Sequence, residues 1–279
     1  MKVLASVLGL ALVAAAQWPE YKRGKVDLEG PAPRTADGHP DLSGIWQFQN
    51  TRGVGAAGNV RPVAAPPPRD PLASAGGGLG PAPPPGSSQF FNIGSTIEGG
   101  LPFQPWAAEL RKKRAAENNK DNPDAHCLPL GLMQLHTHPQ PRKIIQTPGL
   151  IVILYEAQAG IRQIFLDGRT LPPRDVEPWW YAYSIGHWDG DTLVVETSGF
   201  RDDVWLDVEG SPLTNAGRMI ERFRRVNYGN LQIDVTVDDP KVYTKPWTVT
   251  IQQKLMPDTE LIEFICNEND RSGPHLVGK

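Results

Sequence analysis

The chain has 279 residues, with 28 Gly, 28 Pro, only two Cys, and a formal net charge of -3 at pH 7. Because so weak an acidic charge provides no attraction for phosphate groups, the composition argues against nucleic acid and anionic membranes as partners. The sequence also has no Gly-x-Ser-x-Gly elbow, no phosphate-binding Gly-Lys-Ser/Thr loop and no dinucleotide-binding glycine motif, which argues against the common serine hydrolase, nucleotide and Rossmann classes.

Residues 1–16 have the features of a secretory signal peptide. Lys2 supplies a positive charge, residues 3–13 form an apolar run, and residues 14–16 are the small alanines that a signal peptidase accepts. The run falls short of the ~18 apolar residues that span a bilayer. We therefore predict cleavage near Ala16, a periplasmic or extracellular destination, and no stable membrane insertion of the mature chain. A retained N-terminal anchor is the alternative.

The composition divides the mature chain into three parts. Residues 17–52 form an N-terminal segment, with a first strand expected near residues 42–49. Between residues 53 and 86 about half of the positions are Gly or Pro, so neither a helix nor a strand ladder can persist there. We predict a flexible insertion that lies over the surface or covers a cavity mouth. Residues 87–279 form the predicted β domain.

One short helix is predicted inside that domain, near residues 105–118. Pro105 suits the first helical position, and the following turns contain Ala, Glu, Leu, Lys and Arg. Asn118 and Asn119 then end the helix. We assign no function to its basic run at residues 111–114, because such runs usually form a solvated face.

Strands dominate residues 143–266, where β-branched and aromatic runs are separated by turn residues. Asp189-Gly190 predicts a tight hairpin that returns along residues 192–197. Alternating apolar and polar residues predict strands at residues 231–237 and 247–252. Further strands are expected at residues 150–155, 161–166, 179–187, 219–226 and 260–266. A total of about eight to ten strands favours an antiparallel barrel around one small ligand, with a β-sandwich or an open curved sheet as alternatives.

Four segments carry a resemblance to a known family: PRTADGHPDLSGIW (33–46), KIIQTPGL (143–150), WDGDTLVVET (188–197) and DDPKVYTKPW (238–247). Together they are similar to a large family of secreted hypothetical proteins that is abundant in acidobacteria and related soil bacteria. The resemblance covers nearly all of the mature chain and implies secretion, but no particular chemistry. Gly44-Ile45-Trp46 also resembles the Gly-x-Trp of the first lipocalin strand, which implies a calycin-like (lipocalin-like) barrel with Trp46 closing one end.

Cys127 and Cys266 are an even pair of cysteines in a chain expected to reach an oxidising compartment. We predict a disulfide between them that ties the start of the sheet to its last strand. Two buried thiols are the alternative.

The histidines suggest two kinds of site. His136 and His138 would lie on one side of an extended segment, so both imidazoles could reach one divalent metal, with His126 or alternatively His187 as a third ligand. They could instead act as general acid and base, because imidazole titrates near neutral pH. Ordinary polar packing is the third interpretation.

Carboxylates and aromatic residues complete the set of candidates. The carboxylates in predicted strands are Glu156, Glu196, Asp234 and Glu263. We take Glu156 and Glu196 as catalytic candidates, because a lumen-facing carboxyl has a raised pKa that suits a general acid or base. Pairing with strand arginines such as Arg162 is the alternative. The aromatic candidates for ligand-binding walls are Trp180, Tyr183, Trp205 and Trp247, with core filling as the alternative.

These features lead to two main hypotheses of function, and a structural or surface-interaction role with the Pro/Gly-rich segment as a tether is a third. The first is a secreted or periplasmic β-barrel protein that binds a small, partly apolar molecule in its cavity. The second is a lyase or hydrolase that acts on a plant-derived or carbohydrate-related compound, with His136 and His138 as acid/base or metal-holding groups. No other cofactor is suggested by the residues.

Overall fold

The computed structural model describes residues 26–49, 89–173 and 175–266. The predicted signal peptide and the Pro/Gly-rich segment at residues 53–86 lie outside this part of the chain. Within it, nine strands close into a barrel in chain order. The strands are β1 (Gly44–Phe48), β2 (Arg142–Gln146), β3 (Leu150–Tyr155), β4 (Ile161–Phe165), β5 (Tyr183–Asp189), β6 (Thr192–Ser198), β7 (Arg218–Arg225), β8 (Asn230–Asp238) and β9 (Trp247–Leu255).

The prediction of a mainly β, antiparallel barrel is confirmed, with one exception to the antiparallel order. Neighbouring strands pair antiparallel around the barrel, and β1 closes it by pairing with β9. β4 and β5 instead run parallel and share only two register pairs, Ile164 with Ser184 and Phe165 with Ile185. The long connection at residues 166–182 explains the exception, because it is long enough to return the chain to the end where β4 began.

Alternation along the strands places the apolar side chains inside the barrel. In β8 the residues Leu231, Ile233, Val235 and Val237 are at most 1% exposed, and the residues between them are not buried in the same way. The inward side chains of the strands join one hydrophobic core with Trp46 and Phe223. The polar residues of β8 therefore lie on the outer face of the barrel. The alternation in the sequence alone could not decide whether they face solvent or the lumen.

Trp46 lies on β1 and belongs to the hydrophobic core. It is fully buried, and its indole N–H donates to the carbonyl of Leu42 at 2.9 Å. The guanidinium of Arg225 lies 5.0 Å from the ring centroid. The barrel is consistent with a lipocalin-like fold, and the closure of one end by Trp46 stays a prediction.

The predicted helix is confirmed as α1 (Pro105–Ala116). It ends before Asn118 and Asn119, which both have a positive φ. The other α-helix of the described chain, α2 (Leu132–Thr137), was not predicted, and all of its residues are buried. Single turns of 3₁₀ helix lie at Ile93–Thr96, Pro123–His126 and Ala157–Ala159. None of the described helices is long and apolar enough to cross a membrane.

The expectation that residues 136–138 are extended is wrong, because His136 belongs to α2 and His138 caps its C-terminus. Six residues are too few to show a helical period. The helix end is held by two arginine hydrogen bonds and by a distant residue: Arg142 donates to the carbonyls of His136 at 2.6 Å and His138 at 2.9 Å, and Gln253 donates to the carbonyl of His136 at 2.9 Å.

The predicted last strand at residues 260–266 is also wrong, and the chain there is irregular. A strand at this point would have no edge to join, because β9 already pairs with β1. The disulfide is confirmed: Cys127 and Cys266 are bonded, with their Cα atoms 5.5 Å apart. It holds the irregular segment against the outside of the barrel.

Candidate functional site

Five polar side chains meet inside the barrel, surrounded by the apolar core. They are His136, Arg162, Ser184, Thr197 and Glu221, and each is at most 2% exposed. We call this group the interior polar cluster. His136 comes from α2, and the others come from β4, β5, β6 and β7 in turn. The cluster therefore links the unpredicted helix to four consecutive strands.

Arg162 and Glu221 form the centre of the interior polar cluster. The two terminal nitrogens of Arg162 donate to the two oxygens of the Glu221 carboxylate, one of them at 2.9 Å. Arg162 also donates to the hydroxyls of Ser184 at 3.1 Å and Thr197 at 3.0 Å. The Nε2 atom of His136 lies 2.7 Å from Oε1 of Glu221. Hydrogen bonds thus satisfy both buried charges.

The charges of this cluster follow from its surroundings. Burial alone would raise the pKa of Glu221, but the charge of Arg162 and the hydrogen bond from His136 lower it to about 2. Burial also lowers the pKa of His136, against the opposing effect of Glu221. At neutral pH the cluster therefore contains a carboxylate, a guanidinium and a neutral imidazole.

Glu221 was not among the carboxylates chosen from the sequence. β7 has charged residues on both faces, so its alternation does not identify the buried side. The available signal was that Glu221 is in phase with Met219 and Phe223, which face the core. Pairing of the candidate carboxylates with strand arginines was the alternative, but the partner of Arg162 is Glu221, which was not one of those candidates.

A cleft of about 360 Å³ opens on the barrel wall where β4 and β5 meet. We call it the seam cleft. It is lined by Pro129, Ile161, Arg162, Gln163, Phe165, Trp179, Trp180, Tyr181, Ala182, Tyr183 and Ser184. The cleft exists because residues 161–163 pair with β3 but have no ladder partner on the β5 side. Arg162 and Ser184 belong both to its lining and to the interior polar cluster.

Two arginines support the aromatic walls of the seam cleft. Tyr183 lies 5.3 Å from Phe165 in a stacked arrangement. Arg169 lies 3.8 Å from the Phe165 ring centroid and donates to the Tyr183 hydroxyl at 3.0 Å. Arg201 lies 4.1 Å from the ring centroid of Trp180. These cation–π contacts restrict the orientation of the rings before any ligand arrives.

The same arginines contribute little net charge to the seam cleft. Arg169 forms an ion pair with Asp167, and Arg201 forms one with Asp203. Arg162 is neutralised by Glu221 in the same way. The cleft therefore favours neither a cation nor an anion strongly.

The predicted wall residues divide between the seam cleft and the core. Trp180 and Tyr183 both line the cleft. Trp205 and Trp247 are 2% and 5% exposed and lie in the core, as the core-filling alternative describes. Sequence reasoning did not assign Trp179 to the wall, although it is 39% exposed there.

The other histidines proposed as metal ligands do not join His136, and the alternative third ligand His187 is exposed on β5. His138 points toward Phe90, with the ring centroids 5.2 Å apart, and burial lowers its pKa to about 4. His126 lies in a 3₁₀ turn, with its Nε2 atom 2.8 Å from the carbonyl of Lys120. In the described chain no group of three or more His, Cys, Asp or Glu is placed to hold a metal ion. The geometry thus does not bring the three predicted metal ligands together.

The two predicted catalytic carboxylates lie outside the interior polar cluster. Glu156 follows β3 and accepts a hydrogen bond from the backbone N–H of Ile262 at 3.1 Å. Glu196 alternates with the buried residues Val195 and Thr197, so it lies on the outer face of β6. The carboxylate that lies beside His136 is Glu221.

A second groove, of about 400 Å³, lies beside the seam cleft and shares Ile161 with it. One of its walls is the segment of residues 261–265, which the disulfide holds in place. A third depression, of about 470 Å³, lies between residues 35–37 and 146–148. The seam cleft is distinguished from both by its concentration of aromatic side chains.

Comparisons of the chain with family models, with curated proteins and with solved structures find no match. The function is therefore inferred from the geometry of the site.

Proposed function

We propose that this protein binds a small, partly apolar molecule in the seam cleft. The observation that carries the proposal is the set of aromatic rings around one opening: Phe165, Trp179, Trp180, Tyr181 and Tyr183. The cleft volume of about 360 Å³ lies within the range of roughly 300–1,000 Å³ found for small-molecule sites. We place the site at the seam rather than in the lumen, because the inward side chains of the described barrel pack into one core.

The lining favours a flat, uncharged ligand that carries hydrogen-bond acceptors. Aromatic faces stack on planar rings and on the apolar faces of sugars. The Tyr183 hydroxyl accepts from Arg169, so its own proton remains available to a ligand. The indole N–H groups of Trp179 and Trp180 add two further donors. The ion-paired arginines leave no strong preference for a charged molecule.

We further propose that the protein works outside the cytoplasm. The disulfide supports this location, because such bonds persist in oxidising compartments. The signal-peptide features of residues 1–16 support it independently.

Binding can be tested by titrating the protein with 4-hydroxyacetophenone, a planar phenol with a carbonyl acceptor, and with methyl glucoside, while tryptophan fluorescence is recorded. We expect saturable quenching by one of these probes, because Trp179 and Trp180 lie in the seam cleft. The variant Trp180→Leu should weaken binding about tenfold or more, because it removes one stacking wall.

The matched control is Trp106→Leu. Trp106 is also solvent-exposed, at 48%, but it lies on α1 and does not line the cleft. It should leave the affinity unchanged. Equal losses in the two variants, or no saturable binding of either probe, would contradict the proposal.

Lyase or hydrolase activity is a second candidate function, favoured by one observation. Nε2 of His136 lies 2.7 Å from Glu221, which is the arrangement of an imidazole general base oriented by a carboxylate. Turnover of aryl esters and aryl glycosides by the wild type, lost in the nearly isosteric Glu221→Gln variant but retained in Glu196→Gln, would support it. Absence of turnover with both substrate classes would count against it.

A further inference from the structure

The hydrogen-bond partner of His136 determines which of its ring nitrogens carries the proton. Glu221 is an ionised carboxylate and can only accept hydrogen bonds. The Nε2 atom of His136 lies 2.7 Å from Oε1 of Glu221 and 3.2 Å from a terminal nitrogen of Arg162, which can only donate. That nitrogen already donates to Oε1 of Glu221 at 2.9 Å, so the shorter contact assigns the Nε2 proton to the bond with Glu221. Because burial keeps this ring neutral, its Nδ1 atom carries a bare lone pair. That lone pair requires a donor from elsewhere.

Nδ1 of His136 has no such donor within the described residues. Besides Nε2 of Gln134 in α2, three buried polar atoms around His136 are also without a hydrogen-bond partner in the described chain: the Tyr155 hydroxyl, Nε of Arg142 and Oε1 of Gln253. Each belongs to a side chain that is at most 3% exposed. Buried polar atoms are rarely left unpaired in native proteins, so a shared cause is called for.

These four side chains are neighbours. Arg142 and Tyr155 are directly opposite each other in the β2–β3 ladder, and both point into the barrel. Arg142 and Gln253 both donate to the backbone carbonyl of His136, at 2.6 and 2.9 Å. The rings of His136 and Tyr155 lie 6.2 Å apart, edge to face. The side chains that carry the unpaired atoms therefore lie around the C-terminal end of α2.

The hydrogen-bonding capacities of these four atoms match those of one kind of bound molecule. Nδ1 of His136 and Oε1 of Gln253 are acceptors, Nε of Arg142 is a donor, and the Tyr155 hydroxyl can be either. A water molecule donates two hydrogen bonds and accepts two, which matches this set. We infer that the barrel interior contains a water site in which a water O–H donates to Nδ1 of His136 and the water oxygen is held by the Tyr155 hydroxyl.

This water site is independent of ligand binding in the seam cleft. It extends the interior polar cluster into a chain from Arg162 through Glu221 and His136 to a bound oxygen. In such a chain the carboxylate fixes the tautomer of the imidazole, and the imidazole orients the O–H group. The chemical class that the site accepts is thus a hydroxylic molecule of the size of water.

Nitrogen-15 NMR of the full chain with labelled histidine tests the inference directly. We expect His136 to appear as the Nε2–H tautomer, with the Nδ1 resonance displaced as for a hydrogen-bonded acceptor. A high-resolution crystal structure should show an ordered oxygen at about 3 Å from Nδ1. A protonated Nδ1, an Nδ1 resonance typical of an unbonded lone pair, or no ordered oxygen at this place would overturn the inference.

Two variants separate the water site from simple packing. Tyr155→Phe keeps the ring and removes only the hydroxyl, so the Nδ1 resonance should shift toward its unbonded position while the tautomer stays the same. Gln253→Leu perturbs the opposite side of the site and should shift the same resonance. Tyr243→Phe is the matched control, because Tyr243 is equally buried and its hydroxyl donates to the carbonyl of Pro212 instead, so the His136 resonances should stay unchanged. Unchanged Nδ1 resonances in both test variants would refute the water site.

Discussion

Replacing Arg162 by Met tests the energetics of the interior polar cluster. The variant keeps a long, flexible side chain but leaves the buried carboxylate of Glu221 without its cation. Removing one partner of a buried ion pair costs about 3–5 kcal/mol, because the remaining charge stays desolvated. We expect the free energy of unfolding of Arg162→Met to fall by about this amount at pH 7.

The pH dependence of stability gives the same interaction a second signature. In the wild type the pKa of Glu221 is about 2, below its ordinary value of 4.5. Its contribution is therefore complete above pH 4.5 and is lost as the pH falls from 4.5 toward 2. At about 1.4 kcal/mol for each pH unit, this contribution is about 3 kcal/mol. In Arg162→Met burial raises the pKa of Glu221, so the sign reverses and stability increases as the pH falls through that raised pKa.

Urea unfolding followed by tryptophan fluorescence between pH 3 and pH 8 measures both effects. The control is the double variant Arg162→Met with Glu221→Leu, which removes both charges. It should regain most of the lost stability, because an apolar pair often replaces a buried ion pair at little cost. The reasoning fails if the single variant lies within about 0.5 kcal/mol of the wild type, or if the double variant is no more stable than the single one.

Three further predictions concern acid sensitivity, the disulfide and the cleft wall. Burial lowers the pKa of His138 from 6.5 to about 4, so the unfolded chain takes up a proton at a higher pH than the folded chain does. The free energy of unfolding should therefore fall by about 3 kcal/mol between pH 6.5 and pH 4. Urea unfolding of His138→Gln should not show this pH dependence. The free energy of unfolding of the Cys127→Ser, Cys266→Ser variant should be about 4–5 kcal/mol lower, because the bond closes a loop with a sequence separation of 139 residues. Thermal unfolding with and without reductant measures this effect, and an unchanged midpoint would contradict it. Gly199 has a φ of +77°, and a Cβ there would lie 2.9 Å from the Trp179 ring, so Gly199→Ala should weaken binding of the fluorescence probe. The control is Gly168→Ala, which also has a positive φ but open space around it. It should leave binding unchanged.

Strong local patterns made most of the strands predictable. The alternation at residues 231–237 and the Asp-Gly turn at Asp189-Gly190 both act within a few residues, and both correspond to observed elements. Pro105 likewise marks the start of α1. The cysteine pair was predictable because only two cysteines occur in the chain. Such features need no knowledge of distant partners.

The features that failed depend on contacts between distant residues. α2 is six residues long, and Gln253 donates to the carbonyl of His136 at its end from 117 residues away. The burial of Glu221 depends on Arg162, which is 59 residues away in the chain. The parallel pairing of β4 with β5 depends on where a long connection ends. Trp180 and Tyr183 were predicted as wall residues without knowledge of the seam that brings them to one cleft, and their role in binding stays a prediction.

The parallel seam also gives a physical reason for the interior polar cluster. Along residues 161–163 the barrel has no backbone ladder between β4 and β5. Side chains supply the missing connection there, because Arg162 of β4 donates to Ser184 of β5, and Ser184 lies 3.0 Å from Thr197 of β6. The cluster therefore ties together the two strands whose separation opens the cleft. Ser184→Ala, which removes one of these hydrogen bonds, should therefore change the affinity of the seam cleft for its ligand. Ser211→Ala should change it less, because Ser211 is equally buried but its hydroxyl donates to Asp207.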